Sequence, residues 1–490
     1  MLIPDDHLRR HLSFRRTDKK ASVTAKKPAA MLRNLMPDIL HRLRSGEESM
    51  KHYQAAIIGF GKAGKTLAAA LGRAGWHVAL IEQSSAMYGG TCINVGCIPT
   101  KTLVHEAQTA SDFAAAMQRK SEVVSFLREK NYLNLAHLEQ VDIIDGRAEF
   151  ADAHTLNIVS DQGAQAIYAD KIFINSGAEA IFPSISGLQP GPRIVDSSGI
   201  LNLTALPKRL GILGGGYIGI EFAAMFASFG SEVTLFDSAP QFLPREDADI
   251  SAAVQTILQD QGIRMALHTT VNAVSSSSDS VTLHTAQGDR QVDVLLVATG
   301  RRPAARQLKP ENAGVMLNAR GAVSVDRQLK TSVDHIWAMG DVTGGPQFTY
   351  ISLDDYRIVY DQLLGKGTRS TDDRANIPWS VFMTPTLSRI GLTEAQAREQ
   401  GRDIQVVSLP VAAIPRARVV NDTRGVLKAV VDRQNQQIIG VALLAVDSHE
   451  VINIVKTVMD AGLPYTVLRD QIFTHPSMSE SLNDLFALVK

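Results

Sequence analysis

The 490-residue chain carries 50 Lys and Arg against 50 Asp and Glu, with 45% apolar and 20% charged residues. This is an ordinary globular composition with material for more than one core. Its neutrality gives no basis for a nucleic-acid partner or a charged membrane surface, and no apolar run reaches the roughly 18 residues that a membrane span needs. The chain has two cysteines, Cys92 and Cys97, five positions apart. A secreted, disulfide-stapled fold would use more of them, so the pair points to redox work in a reducing, cytoplasmic setting.

The first 50 residues hold 11 Lys/Arg against 6 Asp/Glu. They lack the apolar stretch of a secretory signal, and residues 1–49 read as a basic, disordered leader. The segment from 53 to 58 is an apolar strand. It runs into Gly59-Phe-Gly61-Lys-Ala-Gly64, a helical stretch to Leu71, and a second strand from His77 that ends at Glu82. The same grammar returns at Leu210–Leu213, Gly214-Gly-Gly216-Tyr-Ile-Gly219, a helix through Phe229, and a strand from Glu232 that ends at Asp237. In both units the acid lies 23 residues after the first glycine. A lone glycine cluster is often a plain turn, but the whole strand–glycines–helix–strand–acid unit is specific to dinucleotide binding. The first glycine allows the tight turn, the second lets backbone approach a pyrophosphate, and the third lets helix pack on strand. The carboxylate receives ribose hydroxyls. Two units imply two dinucleotides.

Residues 169–175 read as a buried strand closing at Ser176-Gly177-Ala178, and Ser275–Ser278 as a hairpin turn. Val294–Ala298 is a strand ending at Thr299-Gly300-Arg301. From about 377 the pattern changes to alternating strands, 426–431 and 437–445, then a helix 447–461 and a polar tail with His475-Pro476. The fold class is therefore α/β: two Rossmann-like dinucleotide-binding domains and a C-terminal α+β domain. The expected boundaries are 50–198 and 326–376 for the first domain, 199–325 for the second and 377–490 for the last.

Gly89-Gly90-Thr91-Cys92-Ile-Asn-Val-Gly-Cys97-Ile-Pro-Thr-Lys101 follows the first acid. The C-x₄-C spacing differs from that of zinc sites and thioredoxin motifs. On an imperfect helical turn, such a pair can close a strained, easily reduced disulfide. The motif resembles that of the class I pyridine nucleotide–disulfide oxidoreductases, the family of glutathione reductase, lipoamide dehydrogenase and mercuric reductase. The likeness extends in order over 53–490, through Ala298-Thr-Gly-Arg-Arg-Pro303, Ile336-Trp-Ala-Met-Gly-Asp341 and Phe473-Thr-His475-Pro-Ser-Met-Ser-Glu480.

The resemblance implies a homodimeric flavoenzyme carrying FAD and using NADH. Gly59, Gly61, Gly64, Glu82, Gly90, Thr91, Lys101, Ser176, Gly177 and Asp341 fall at FAD-side positions, and Gly214, Gly216, Gly219, Asp237 and Gly300 at NAD-side positions. It further implies that hydride reaches one flavin face and the disulfide is reduced from the other. Cys97 would be the flavin-side thiolate and Cys92 the thiol that meets the acceptor. Lys101 and Glu221 match an ion pair beside the flavin, and His475 with Glu480 a pair that serves the partner subunit's disulfide. Asp237 suits a free ribose 2′-hydroxyl and repels a 2′-phosphate, which favours NADH over NADPH.

No third cysteine is present to relay electrons to a large protein disulfide. Tyr350-Ile-Ser-Leu-Asp-Asp-Tyr-Arg357, Ala413-Ile-Pro-Arg-Ala-Arg418 and Asp447-Ser-His-Glu450 resemble the reactive-chlorine-resistance branch of enteric bacteria, which reduces copper(II). That likeness makes Cu(II) the expected electron acceptor, met by Cys92 and Cys97. His449 and Met383 are conceivable copper ligands, with a structural role favoured for each. Two other readings stand beside this one: a lipoamide-type or other small-disulfide reductase, and a non-catalytic dinucleotide sensor. A sensor has no need of Cys92, Cys97, Lys101 and His475 together.

Overall fold

The computed structural model describes residues 50–109 and 112–490; the basic leader expected over 1–49 lies outside the described residues. The first sheet has the order 141–145, 78–82, 51–58, 163–174, 155–160, 147–150, and strand 336–338 also pairs with 163–174. Strands Lys51–Ile58, Val78–Glu82 and the end of Gly163–Ile174 run parallel, so their carboxyl ends open on one edge, where ligands of doubly wound sheets bind. Burial explains the central strand: Ala55–Ile58 are all covered, as continuous apolar runs in parallel sheets require. Helix Lys62–Arg73 packs on it through Ala63, Gly64, Leu67, Ala68, Leu71 and Gly72, one face of a 3.6-residue period.

The second unit repeats this plan with the parallel order 264–266, 232–236, 209–213, 294–297, 194–195. Its glycine helix, Tyr217–Phe229, ends at Gly230 with φ 104°, a left-handed cap that glycine adopts without strain. An antiparallel sheet of 271–276, 281–285 and 290–292 lies beside it. The serine run begins inside its first strand, and the turn falls at Ser277–Ser280. Residues 379–444 form an antiparallel sheet of order 379–381, 387–391, 438–444, 426–432, 404–410, packed against helix Ser448–Asp460. The long helix Phe113–Ala136, which the sequence patterning did not announce, is capped by Asp112 accepting from Ala115 N–H.

One apolar cluster joins the parts. Leu103, Phe113 and Ala116 meet Ile220, Phe222 and Phe226 of the second glycine helix, and Val381, Met383 and Leu387 of the C-terminal sheet. Among the described residues no helix is long and apolar enough to cross a membrane. The turn at Gly340 is held from below by a buried charge. Asp355, 1% exposed, accepts from Gly340 N–H at 2.6 Å and pairs with the Arg374 guanidinium. Removing Asp355 strips Gly340 N–H of its acceptor and leaves the half-buried Arg374 with Asp354 as its remaining carboxylate. Asp355→Ala is thus expected to destabilise the fold by about 3 kcal/mol, read as a lower urea midpoint; an unchanged midpoint would contradict this.

Candidate active site

The carboxyl edges of both parallel sheets open into one cavity of about 2240 Å³. A single small-molecule pocket is usually roughly 300–1,000 Å³, so there is room for more than one ligand.

On the first-unit side, Gly59 has φ 107°, and a Cβ there would fall 2.3 Å from Asn175 O. A Cβ on Gly61 would meet Asn175 Oδ1 at 2.6 Å, and one on Gly64 would meet Gly59 O at 2.3 Å. The three glycines therefore let the chain turn, approach and pack, as the spacing predicts. Gly90, with φ 79°, presses against Gly61 Cα in the same way. Glu82 accepts from Phe60 N–H at 3.0 Å and Ser84 N–H at 3.3 Å. Burial pushes its carboxyl up, and the backbone donors from Phe60, Ser84 and Gln83 pull it back. Asp341 also lines the cavity, its carboxyl raised by burial and lowered by Arg301. Ser176 Oγ is buried with no partner in the chain, and the residue lines the cavity.

The second unit repeats the geometry. A Cβ on Gly214 would fall 2.5 Å from Ala298 O and one on Gly219 would fall 2.1 Å from Gly214 O, while Gly216 faces open space. Asp237 accepts from Gly215 N–H at 3.0 Å and Ala239 N–H at 2.8 Å. Gly300, with φ 132°, and Gly177, with φ 76°, line the same cavity. Gly64 and Gly219 sit one turn into their helices, where they pack rather than line it.

Between the two units lie the cysteines, both free thiols. The imperfect helical turn is a break. Cys92 is in the short helix Thr91–Asn94, and Cys97 begins the helix Cys97–Gln108 after Gly96. The helix start favours an anion at Cys97. A hydrogen bond from the Cys92 thiol holds Cys97 down to about 6. Thr349 and Lys101 add to this, while burial and Glu221 oppose it. Thr349 Oγ1 lies 3.6 Å from Cys97 Sγ. The same interaction with Cys97, together with burial, pushes Cys92 up. The pair thus carries its first negative charge on Cys97. Lys101 Nζ lies 2.8 and 3.0 Å from the two Glu221 oxygens and 4.6 Å from the Phe382 ring centre. Phe382 N–H in turn donates to Glu221 at 2.8 Å.

His475 and Glu480 are bonded to each other at 2.8 Å but do not line the cavity of their own chain; the His475 side chain is 70% exposed. Met383 is buried in the central core. His449 lines the cavity, its ring 5.3 Å from Phe382. Among the described residues no group of three or more His, Cys, Asp or Glu is arranged to hold a metal ion. Asn175 was missed in the sequence. Its Oδ1 accepts from Gly64 N–H at 2.9 Å and its Nδ2 donates to Met339 O at 2.7 Å, so it clamps two glycine turns that are distant in the chain. Thr349 and the stack of Tyr217 on Trp379, centres 4.7 Å apart, were missed too. A side chain that acts across strands leaves no local signature.

Two dinucleotide cradles flanking a dithiol define a nicotinamide- and flavin-dependent oxidoreductase. The chain belongs to the pyridine nucleotide-disulphide oxidoreductase family, whose main domain matches residues 53–355 and whose dimerisation domain matches 377–486. It is 64% identical to the probable pyridine nucleotide-disulfide oxidoreductase RclA of Escherichia coli, over 90% of this chain and all of that one. Mercuric reductase of Staphylococcus aureus is 33% identical, covering 88% of this chain and 81% of its own. Among solved structures, the Cu(II) complex of the HOCl-induced flavoprotein disulfide reductase RclA from Escherichia coli matches with a TM-score of 0.89 and 64% identity, over 90% of this chain and 100% of that chain.

A depressed thiol is charged above its pKa. In the reduced protein, Cys97 is therefore expected to be alkylated with a pH midpoint near 6 and to be quiet below it. Lys101→Met should move that midpoint upward, as mass-mapped alkylation would read out. An unperturbed midpoint for Cys97 would contradict the thiolate assignment.

Proposed function

We propose that the enzyme carries FAD, takes electrons from NADH, and passes them through Cys97 and Cys92 to Cu(II) as part of oxidative, reactive-chlorine defence in the cytoplasm. The observation that carries this reading is the thiol pair, with Cys97 at a helix start beside Thr349, set between two nucleotide cradles in a chain so close to a protein whose solved structure is a Cu(II) complex.

The residues fit FAD. Glu82 stands where an adenosine ribose would present hydroxyls, the glycines leave room for a pyrophosphate, and Ser176 and Asp341 supply polar groups further along. When bound, the flavin supplies a two-electron acceptor for hydride that can also pass electrons to sulfur. The chain's own part is positioning and charge. Lys101 and Thr349 keep Cys97 anionic, and Glu221 keeps Lys101 in place. Cys92, protonated while Cys97 holds the charge, is the sulfur left for the acceptor. Oxidation of the dithiol to the disulfide releases two electrons, one to each of two Cu(II), and thiolates suit the Cu(I) product. The full balance is NADH plus two Cu(II) giving NAD⁺, two Cu(I) and one proton.

Asp237 supports NADH, since its carboxylate stands at the strand end that meets the ribose. Arg245 lines the same cavity, so NADPH is the informative control. We read 50–198 and 326–376 as the flavin domain, 199–325 as the nicotinamide domain and 377–490 as the dimerisation domain. In a two-fold dimer, the His475–Glu480 pair of one subunit would serve the dithiol of the other as acid and base, which accords with its absence from its own cavity.

Steady-state oxidation of NADH and NADPH with Cu(II), lipoamide and oxidised glutathione, in the unsubstituted enzyme and Cys92→Ser, tests the reading. The expected result is a kcat/KM for Cu(II) with NADH at least about tenfold above the other pairs and lost in Cys92→Ser. Lipoamide surpassing Cu(II), or copper turnover surviving without both cysteines, would transfer the assignment to a disulfide reductase or to adventitious chemistry.

A further inference from the structure

Positive charge approaches Cys92 from two helices. Lys65, in the first turn of helix Lys62–Arg73, reaches the glycine turn that precedes Cys92. Its Nζ donates to Gly89 O at 3.2 Å and to Asn131 Oδ1 at 2.6 Å. Both acceptors are neutral, so the ammonium charge is not cancelled. Lys62 begins the same helix and lines the cavity. The contact of Gly61 with Gly90 brings that helix start against the Thr91–Cys92 turn. From helix Phe113–Ala136, Arg128 Nε donates to Asn94 Oδ1 at 2.7 Å, on the short helix that carries Cys92. Among the described residues, no carboxylate forms an ion pair with Lys62, Lys65 or Arg128. Burial and the neighbouring Lys62 charge draw Lys65 down to about 8, opposed by its attraction to Cys92, which leaves it mostly charged at neutral pH.

We infer that Lys65, with Arg128 on the helix bonded to the Cys92-bearing turn, makes the surroundings of Cys92 an electropositive face that selects electron acceptors presented as anions: an anionic Cu(II) chelate over the aquo cation, and a carboxylate-bearing disulfide over a cationic one. The inference rests on Cys92 being the sulfur that meets the acceptor. With a disulfide, the Cys92 sulfur gives up its proton and bonds to one acceptor sulfur, while the other acceptor sulfur leaves with the electron pair and takes that proton. Cys97 sulfur then closes on Cys92 and releases the second thiolate. A negative acceptor is drawn to the face before either bond changes.

The test compares alkylation of Cys92 by iodoacetate, an anion, and iodoacetamide, which is neutral, in the reduced holoenzyme with peptide mapping. Both reagents meet the same thiolate in the same displacement, so the ratio of their rates cancels the thiolate fraction and reads local potential. Lys65→Gln keeps a donor for Gly89 O without the charge, whereas Lys65→Arg keeps the charge. The expected result is an iodoacetate preference that falls about tenfold in Lys65→Gln, persists in Lys65→Arg, and weakens with added salt in the unsubstituted enzyme. NADH-driven turnover should favour dithiodiglycolate, a dianion, over cystamine, a dication. A ratio that Lys65→Gln leaves unchanged would overturn the inference. If that variant retains no flavin, a salt-independent ratio in the unsubstituted enzyme would overturn it equally. Loss of copper turnover with the ratio intact would count against the copper reading and leave the electropositive face supported.

Discussion

Lys101 and Glu221 meet at 2.8 Å across the middle of the molecule, and the three parts of the chain converge on that contact. Lys101 belongs to the helix that begins at Cys97, Glu221 to the glycine helix of the second unit, and Phe382, which donates its N–H to Glu221, to the C-terminal sheet. The Lys101 ammonium also lies over the Phe382 ring. A half-buried pair of this kind is stabilising only when each charge keeps its partner, so the geometry holds all three elements in one register. Beside it, Cys97 is held low chiefly by the Cys92 thiol, with Thr349 and the Lys101 cation adding to this while burial and Glu221 oppose it. The nucleotide cradles are built around this junction, and the cavity runs past it on both sides.

Asymmetry between the two sulfurs follows from their surroundings rather than from their chemistry as residues. Cys97 opens a helix of 12 residues and faces Thr349 and Lys101. Cys92 lies on a four-residue helix, where the Cys97 contact and burial raise its thiol and outweigh Thr349 and Lys65, which lower it. In the proposed division Cys97 holds the charge and Cys92 meets the acceptor, as electron transfer through a dithiol needs. The electropositive surroundings of Cys92 then bear on which acceptors reach it.

Much of this was legible in the sequence because backbone geometry demands particular residues. Glycine at 59, 61, 64, 214 and 219 is required wherever a Cβ would strike a carbonyl or side chain 2.1 to 2.6 Å away, and the acids at 82 and 237 end strands at a fixed distance. The cysteine spacing and the resemblance it carries led to Lys101, Glu221 and the His475–Glu480 pair. What escaped was assembled in three dimensions. Asn175 joins two turns through strand register, Asp355 and Arg374 support the Gly340 turn from outside any motif, and Lys65 matters through the absence of a carboxylate. The break between Cys92 and Cys97 escaped as well, because Val95 and Gly96 interrupt the helix through dihedral angles that spacing alone does not report.

The central claim is that electrons from the nicotinamide reach Cys92 and Cys97 through the bound flavin. Anaerobic titration of the oxidised enzyme with NADH, followed by flavin absorbance and by thiol counting, tests it most directly. Each chain should take up two electron pairs, one for the flavin and one for the disulfide, with both thiols appearing before the flavin is fully bleached. Cys92→Ser should take up only one. Full bleaching after a single electron pair in the unsubstituted enzyme, with no new thiols, would contradict the account.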